Sequence, residues 1–190
     1  MTQQTWKSYV KKAVPKTIVD KSYFVKAALT LSRGEELECN LCGFSGKFLP
    51  HGDPPRKNAG CPNCGSFERH RLVKLWLDTE PSVGPTMLHF APEPGLTALF
   101  KTRVSRYQSA DLAPGAGDIV LNIESIDMPD ESVDAVVASH VLEHVNDAKA
   151  LAEINRILTP GGTAILMFPI IEGWEHTYEN PDIKTPSERA

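Results

Sequence analysis

The chain has 190 residues, of which 41% are hydrophobic, and its formal net charge at pH 7 is −4. This length accommodates one domain of ordinary size and a small additional module. The chain has no apolar run of about 20 residues, which excludes a membrane-spanning helix, and the stretch MTQQTWKSYVKK lacks the apolar centre of a secretory signal. We therefore expect a cytoplasmic protein that does not contact membranes.

The charge is distributed unevenly along the chain. Residues 1–80 contain 13 Lys and Arg against 8 Asp and Glu, a net of +5, whereas residues 81–190 contain 7 against 16, a net of −9. The basic N-terminal part would suit an anionic partner such as RNA. A solvated helical face explains the same residues, and we favour that interpretation.

The first part of the chain is predicted to contain helices and a small module. Residues 1–34 are predicted to be an N-terminal helical segment, because apolar residues recur there with a helical period. Residues 35–80 are predicted to be a zinc-binding module with a following helix. This module is expected to be loop-like as far as residue 66 and helical over residues 67–77.

All four cysteines of the chain lie in this module, with the spacing C-x2-C-x18-C-x2-C. They are Cys39, Cys42, Cys61 and Cys64. Four thiolates at this spacing are typical of a closed, structural zinc site, in which no position is open for a catalytic water. Disulfides, an iron–sulfur cluster and a vestigial site remain as alternatives. His51 and His70 are candidate extra ligands, but four thiolates suffice and packing roles are favoured.

After residue 85 the chain alternates between short apolar runs and helical stretches. The predicted strands cover residues 87–91, 107–110, 118–121, 133–138 and 163–168, with helices over 96–102 and 147–158. Strands separated by helices indicate an α/β fold with a doubly wound, mostly parallel sheet.

The segment from Glu124 to Ile170 reads ESIDMPDESVDAVVASHVLEHVNDAKALAEINRILTPGGTAILMFPI. It resembles the middle of class I S-adenosylmethionine-dependent methyltransferases of type 11. The sequences CPNCGSFERHR and FAPEP are similar to those of bacterial methyltransferases that carry an N-terminal zinc-binding segment. The resemblance covers about residues 86–170. It implies a Rossmann-like sheet, S-adenosylmethionine as cofactor and structural zinc.

The resemblance also implies where the cofactor binds. Aligned to the family pattern D-x-G-x-G-x-G, the loop LHFAPEPGL places His89 at the acidic position and retains only the last glycine. Glu93 replaces the usual acid and is expected to accept the methionine ammonium group, while Asp111 binds the ribose hydroxyls. Asn122, or Glu124, takes the adenine-contacting position. The complete predicted set is Phe90, Glu93, Gly95, Asp111, Leu112, Asn122, Ile123 and Ser139.

His140 is the one candidate catalytic base. It follows the fourth strand of the fold, where cofactor and acceptor meet in the family, and an imidazole can take up a proton near neutral pH. Alternatively, His140 lines the pocket or caps the next helix, and methyl transfer needs no base when acceptor and sulfonium lie in line. Glu143 and His144 are expected to be structural.

The family fold normally ends with two further strands, the last pair being antiparallel, and no strand is predicted after Ile170. Residues 86–190 are therefore expected to be a C-terminally incomplete methyltransferase-like domain. An open sheet edge invites a second copy of the chain or another partner, so a homodimer or a completing partner is expected.

The predicted function is methyl transfer from S-adenosylmethionine to a small-molecule or saccharide-type acceptor. An RNA methyltransferase and a catalytically inactive zinc-binding scaffold derived from a methyltransferase are the alternatives. Nucleic acid is not the favoured partner, because Phe44, Phe48 and Phe67 are not interleaved with a dense basic run. A nicotinamide-dependent oxidoreductase is disfavoured, because the middle block does not belong to that class.

Overall fold

The computed structural model describes residues 35–52, 55–79 and 82–170, together with residues 175, 176, 180, 182, 183 and 185. The predicted N-terminal helical segment, residues 1–34, lies outside these residues. The described residues belong to two compact units, one that ends at Trp76 and one that begins at Leu77. None of the helices in the described ranges is both long enough and apolar enough to cross a membrane.

The first unit contains two antiparallel hairpins and most of a helix. Strands β1 (Glu36–Glu38) and β2 (Ser45–Lys47) form one hairpin, β3 (Leu49–His51) and β4 (Arg56–Gly60) form the other, and helix α1 spans Glu68–Thr79. The expectation that residues 35–66 are loop-like is therefore wrong for these strands. The strands have three to five residues and contain Gly, Pro and charged residues, so any alternation of apolar and polar positions is too short to predict a strand.

Helix α1 begins where its sequence can satisfy the first backbone donors. The backbone N–H of Phe67, just before the helix, donates to Nδ1 of His70 over 3.2 Å. This contact resembles the capping-box arrangement, in which the third helical residue accepts from the residue before the helix. His70 is 4% exposed, and the ring of His51 packs on Phe67 with centroids 4.4 Å apart. Both histidines thus have packing contacts.

The second unit is built on a five-stranded parallel sheet. Its elements in chain order are β5 (Thr86–Phe90), α2 (Pro94–Lys101), β6 (Arg106–Asp111), β7 (Ile119–Val120), β8 (Val133–Ser139), a 3-10 turn (Leu142–His144), α3 (Asp147–Ile157) and β9 (Leu158–Met167). The strand order is β7-β6-β5-β8-β9, and every pairing is parallel. The predicted α/β fold with a Rossmann-like parallel sheet is confirmed for this unit.

One face of this sheet packs against α3. Alternate strand residues point to the same face, so Leu88 and Phe90 of β5 share it with Val136 and Ala138 of β8. Helix α3 contributes Ala150, Ile154 and Ile157, which are at most 2% exposed. Their spacing of four and three residues places them on one side of the helix, which fixes α3 across the middle strands.

The amino ends of the central strands are tied together by Asp134. Its Oδ2 accepts hydrogen bonds from the backbone N–H of Thr86 at 3.0 Å and from the Thr86 hydroxyl at 2.5 Å, and its Oδ1 accepts from Thr159 at 3.1 Å. The segment TPGG (Thr159–Gly162) follows α3 and forms a bulge inside β9, because the register shifts between Val133 and Ala135 on the neighbouring strand. Asp134 thus joins β5, β8 and β9 at their amino ends.

Candidate cofactor edge and cysteine centre

The order of the strands reverses between β5 and β8. From β5 the chain crosses to β6 on one side, and it later returns to β8 on the other side. Phe90 at the end of β5 pairs with Ala110 of β6 and with Ala138 of β8, so the carboxyl ends of these three strands lie side by side. Ligands of open α/β sheets bind at such a reversal.

The loop after β5 contains a residue with left-handed backbone at the position where the family pattern has its first glycine. Ala91, which takes the first glycine position of the pattern, has φ +46°, and its N–H donates to the carbonyl of Ala110 over 2.9 Å. Glu93 is the N-cap residue of α2, and Pro94 and Gly95 form the first turn of this helix. Oε2 of Glu93 is buried. The loop therefore turns sharply at Ala91 and places a carboxylate at the start of α2.

We expect the substitution Ala91→Gly to stabilise the domain by up to about 1 kcal/mol, because a residue with a Cβ is strained in the left-handed region. The free energy of unfolding from urea titrations measures the effect. Ala98→Gly is the matched control, because Ala98 lies in the interior of α2 with its side chain exposed. There glycine should destabilise by about 1 kcal/mol. Equal destabilisation by both substitutions would contradict the assignment of strain to Ala91.

His89, which takes the acidic position of the pattern, is fully buried and is used in packing. Its Nδ1 lies 2.9 Å from the hydroxyl of Tyr107, and its ring meets Phe100 edge-on at 5.3 Å. The Tyr107 hydroxyl is also 3.1 Å from that of Thr97, and burial raises the pKa of Tyr107. His89 thus joins β5 to β6 and α2, and Glu93 is the carboxylate in this loop.

Asp111 is the last residue of β6. Its Oδ1 accepts a hydrogen bond from the backbone N–H of Ala113 over 2.8 Å, which forms the turn after the strand. A carboxylate has about four lone-pair positions, so this turn leaves acceptor capacity for a ligand. The next residue, Leu112, is 62% exposed and lies beside this carboxylate in the chain.

The loop after β7 contains the predicted adenine contacts. Asn122 is exposed, its Oδ1 accepts from the backbone N–H of Glu124 over 2.9 Å, and Ile123 is 2% exposed. Glu124 has a different role, because its Oε1 accepts from the backbone N–H of Asn146, the N-cap residue of α3, over 2.8 Å. Of the two candidates for the adenine position, Asn122 therefore keeps the exposed side chain.

The end of β8 places Ser139 and His140 at the same edge as Phe90. Ser139 is 3% exposed, and its Oγ has no hydrogen-bond partner among the described residues. His140 has φ +55°, donates its backbone N–H to the carbonyl of Met167 over 2.8 Å, and has Nδ1 3.1 Å from Oε1 of Glu143. Two residues with a Cβ, Ala91 and His140, thus have left-handed backbone directly after neighbouring strands, as is frequent at functional sites.

The four cysteines of the first unit come together in space. Their Sγ atoms all lie within 4.8 Å of one another, with 3.7 Å between Cys39 and Cys64 and 3.7 Å between Cys42 and Cys61. A disulfide needs about 2.05 Å between sulfurs, whereas sulfurs about 2.3 Å from a shared tetrahedral ion lie about 3.75 Å apart. The thiols are free, and their spacing fits a tetrahedral metal centre.

Two turns of nearly identical geometry present these thiols. In the first, the N–H of Gly43 donates to the carbonyl of Cys39 over 2.8 Å, and in the second the N–H of Gly65 donates to the carbonyl of Cys61 over 2.9 Å. Both glycines have φ +70°, which explains why glycine follows each C-x-x-C pair. The fully buried Ser66 places its Oγ 3.4 Å from Sγ of Cys39.

The pKa values of the cysteine thiols are shifted in different directions. Burial raises the pKa of Cys39, but hydrogen bonds from Ser66 and from two backbone N–H groups outweigh burial and lower this pKa to about 6. Burial raises the pKa of Cys61 to about 12, and a hydrogen bond from Asn63 lowers the pKa of Cys42. Four adjacent thiolates need a cation to compensate their charge, so a bound metal would release protons.

Arg71, the last residue of the CPNCGSFERHR segment, has a structural role in the cysteine module. Its guanidinium donates to the carbonyl of Ser66 over 2.8 Å and to that of Ala59 over 3.0 Å, and it lies over the ring of Phe48 at 4.8 Å. These contacts join the second cysteine turn to β4. The role of Arg71 in this module is therefore to hold the second cysteine turn against β4.

Residues 86–166 match the family model for the methyltransferase domain. This segment is a methyltransferase domain. Among solved structures, the chain is similar to the YcgJ protein of Bacillus subtilis, with 23% identity over 52% of this chain and 50% of that one, and a TM-score of 0.42. It is also similar to a candidate methyltransferase of Bacillus halodurans, with 23% identity, 50% and 49% coverage, and a TM-score of 0.43.

A third similar structure is a chain in the complex between the Haloferax volcanii Trm112 methyltransferase activator and a candidate methyltransferase. The identity is 24%, each chain is covered over 52%, and the TM-score is 0.43. The present chain thus spans about half the length of these three structures. No match was found among curated proteins.

The ion pair between Glu153 and Arg156 in the methyltransferase domain was not predicted from the sequence, although both residues lie in the stretch EINRIL. Glu153 accepts from the backbone N–H of Ile126 over 2.7 Å and from Arg156 over 2.9 Å at each carboxylate oxygen. Arg156 also donates to the carbonyls of Ile126 and Met128, over 2.7 and 2.8 Å, and to Asp130. The pair clamps α3 to the segment that follows the Asn122 loop.

The structure places the candidate residues of the methyltransferase domain together at the carboxyl ends of its strands. Phe90, Glu93, Asp111, Ser139 and His140 follow or end three neighbouring strands, and the Asn122 loop follows β7, the strand beside β6. A cavity of about 340 Å³ lies elsewhere, at the amino ends of the strands, lined by Thr86, Arg106, Gln108, Asp118 and Ser132 among others. None of the predicted cofactor residues lines that cavity.

Proposed function

We propose that the protein is an S-adenosylmethionine-dependent methyltransferase that binds its cofactor across the carboxyl ends of β5, β6 and β8. The observation that carries this proposal is the position of two carboxylates at the reversal of strand order in the methyltransferase domain: Glu93 follows β5, and Asp111 ends the neighbouring β6. The strands that form the proposed site lie within the segment that matches the family model, because that segment contains β5 to β8 and most of β9.

The residues present fit such a ligand. The buried Oγ of Ser139, which has no partner in the described part of the chain, gives this edge a polar group that a ligand can satisfy. Glu93 would bind the ammonium group, Asp111 the ribose hydroxyls, and Asn122 with the backbone of Ile123 the adenine. Phe90, Gly95 and Leu112 would line the site. When bound, the cofactor supplies an activated methyl group on a positively charged sulfur.

The acceptor is proposed to be a small molecule or a saccharide-type compound that approaches beside His140. The His140 side chain is 38% exposed, and the backbone bond from His140 to Met167 brings the end of β9 to the same place. Phe168 and Ile170, which follow β9, are 56% and 80% exposed. An acceptor there would meet both a proton acceptor and apolar surface, which suits a molecule with a hydroxyl or amine on an apolar or sugar-ring frame.

The cysteine centre is proposed to bind a structural zinc ion. The support is the donor set itself, four thiols whose sulfurs all lie within 4.8 Å of one another and are 3.7 Å apart in two pairs, together with the two glycine turns that present them. Thiolate ligands favour zinc over the harder cations, and a complete set of four leaves no open position for chemistry. The proposed role of the module is therefore support of structure.

Calorimetric titration of the zinc-loaded protein with S-adenosylhomocysteine tests the function. We expect binding in the micromolar range, weakened about tenfold or more by Asp111→Ala and by Glu93→Ala, because each removes a charge-assisted hydrogen bond. Asp127→Ala is the matched control, since Asp127 is an exposed carboxylate of the same domain, and binding should not change. Absence of binding by the folded wild-type protein would instead favour the inactive scaffold.

An RNA acceptor predicts a different result. Affinity for RNA would then fall steeply as the salt concentration rises, because released counterions dominate such binding. Gel-shift measurements between 50 and 200 mM salt separate this alternative from a small-molecule acceptor, for which salt should have little effect on S-adenosylhomocysteine binding and RNA should not bind at all.

A further inference from the structure

His140 and Glu143 form a hydrogen-bonded pair at the carboxyl end of β8. We infer that Glu143 is a positioning residue, which fixes the tautomer of His140 so that Nε2 is the nitrogen that accepts a proton from the acceptor. This inference rests on the proposed function, and it changes the expectation that Glu143 is only structural. His140 and Glu143 would then act together to remove the proton of the acceptor.

The pair determines which nitrogen of His140 carries the proton. Nδ1 of His140 lies 3.1 Å from Oε1 of Glu143. An ionised carboxylate only accepts hydrogen bonds, so the proton of the neutral imidazole must be on Nδ1, and Nε2 then keeps its lone pair. When Nε2 takes the acceptor's proton, both nitrogens carry hydrogen and Glu143 faces the positive imidazolium.

The backbone of His140 is held by contacts within the domain. His140 has φ +55°, and its N–H is held by the carbonyl of Met167 over 2.8 Å. The 3-10 turn Leu142–His144 directly afterwards returns the chain so that Glu143 lies three residues from His140 on the same side. A strained residue held between a strand end and a tight turn is typical of preorganised sites.

The burial of Glu143 supports a role beyond the surface. Its side chain is 23% exposed, less than the 38% of His140, and its Oε2 is buried with no hydrogen-bond partner in the described part of the chain. A surface ion pair would leave both carboxylate oxygens in water. Here Oε1 is directed at the imidazole and Oε2 is buried. The charge of Glu143 therefore acts mainly on His140.

Nitrogen-15 NMR of the whole 190-residue chain, loaded with zinc, tests the inference. We expect the neutral His140 ring to show a protonated Nδ1 and an unprotonated Nε2. The substitution Glu143→Ala should shift the population toward the tautomer with the proton on Nε2. Glu143→Gln, of the same size, should also lose the wild-type preference, because an amide can donate to Nδ1 as well as accept. His140→Gln identifies the resonances by their loss.

His144→Ala is the matched control, because His144 is an exposed residue of the same turn and should leave the His140 tautomer unchanged. A urea-unfolding transition like that of the wild-type protein shows that each variant is folded. A wild-type ring with its proton on Nε2, or a Glu143→Ala ring that keeps the wild-type tautomer, would overturn the inference. Failure of the cofactor titration would overturn the proposed function instead, since the tautomer is measured without cofactor.

Discussion

Removal of the zinc ion proposed for the cysteine centre is expected to unfold the module that contains it. The buried apolar cluster there consists of Cys39, Phe48 and Cys61 with Leu37, Leu41, Phe44 and Cys64 packed against it. Three of its seven members are proposed metal ligands, so little apolar burial would remain without the metal. Metal binding to such sites contributes about 10–16 kcal/mol in zinc-finger peptides, far more than a core of this size.

Hydrogen exchange and metal analysis measure this effect. A chelator, or the substitution Cys39→Ser, should reduce zinc well below one ion per chain and abolish amide protection in the β1–β2 and β3–β4 hairpins. His51→Ala is the control, because the His51 ring packs on Phe67 and should leave zinc content unchanged. Full protection in a metal-free protein would contradict the proposal. Mass spectrometry without reductant would then show whether Cys39–Cys64 or Cys42–Cys61 disulfides have replaced the metal.

The sequence was informative where structure follows from local pattern or from recognised motifs. The parallel sheet could be predicted, because apolar runs such as that of β8 are bounded by helical stretches and lie within a long block of family pattern. The clustering of the cysteines followed from their spacing and the glycines after them. In α3 the sequence predicted the helix but not which side of it is buried, since the apolar residue Leu151 is 42% exposed.

Other features depend on contacts between residues far apart in the chain. The clamp of Glu153 and Arg156 looks from sequence like an ordinary surface pair three residues apart on a helix, and its backbone partners lie 27 or more positions away. The burial of His89 depends on Tyr107 from the next strand. The left-handed backbone of His140 has no signal in sequence, because glycine would be the residue expected there.

Glu153→Gln is expected to lower the free energy of unfolding of the methyltransferase domain by about 2 kcal/mol. The substitution removes the charge that Arg156 and the N–H of Ile126 share, while Arg156 remains and its side chain is only 30% exposed. Glu131→Gln is the matched control, because it changes the charge equally at an exposed position and should alter stability by less than about 0.5 kcal/mol. Urea titrations followed by circular dichroism give both values.

The difference between wild type and Glu153→Gln should also depend on pH. The hydrogen bond from Arg156, together with that from the backbone of Ile126, lowers the pKa of Glu153 from 4.5 to about 2. A carboxyl whose pKa is lower in the folded state stabilises the fold above the unfolded value, and this contribution is lost as the pH falls. The difference should therefore be complete at pH 7, begin to shrink below about pH 5 and approach its minimum near pH 2. A constant difference from pH 7 to pH 3 would mean that the carboxylate charge does not stabilise the clamp.

The clamp connects this stability to the proposed cofactor site. Arg156 holds the carbonyls of Ile126 and Met128, which directly follow the Asn122–Ser125 turn that carries the predicted adenine contacts. Loss of Glu153 should therefore weaken S-adenosylhomocysteine binding several-fold as well, in a variant that is still folded at pH 7. If Glu153→Gln lowers stability but leaves the affinity unchanged, the adenine loop is held by Glu124 and the N-cap of α3 alone. The double substitution Glu153→Gln with Glu124→Gln then distinguishes the two supports, because contacts that act on one loop are not additive.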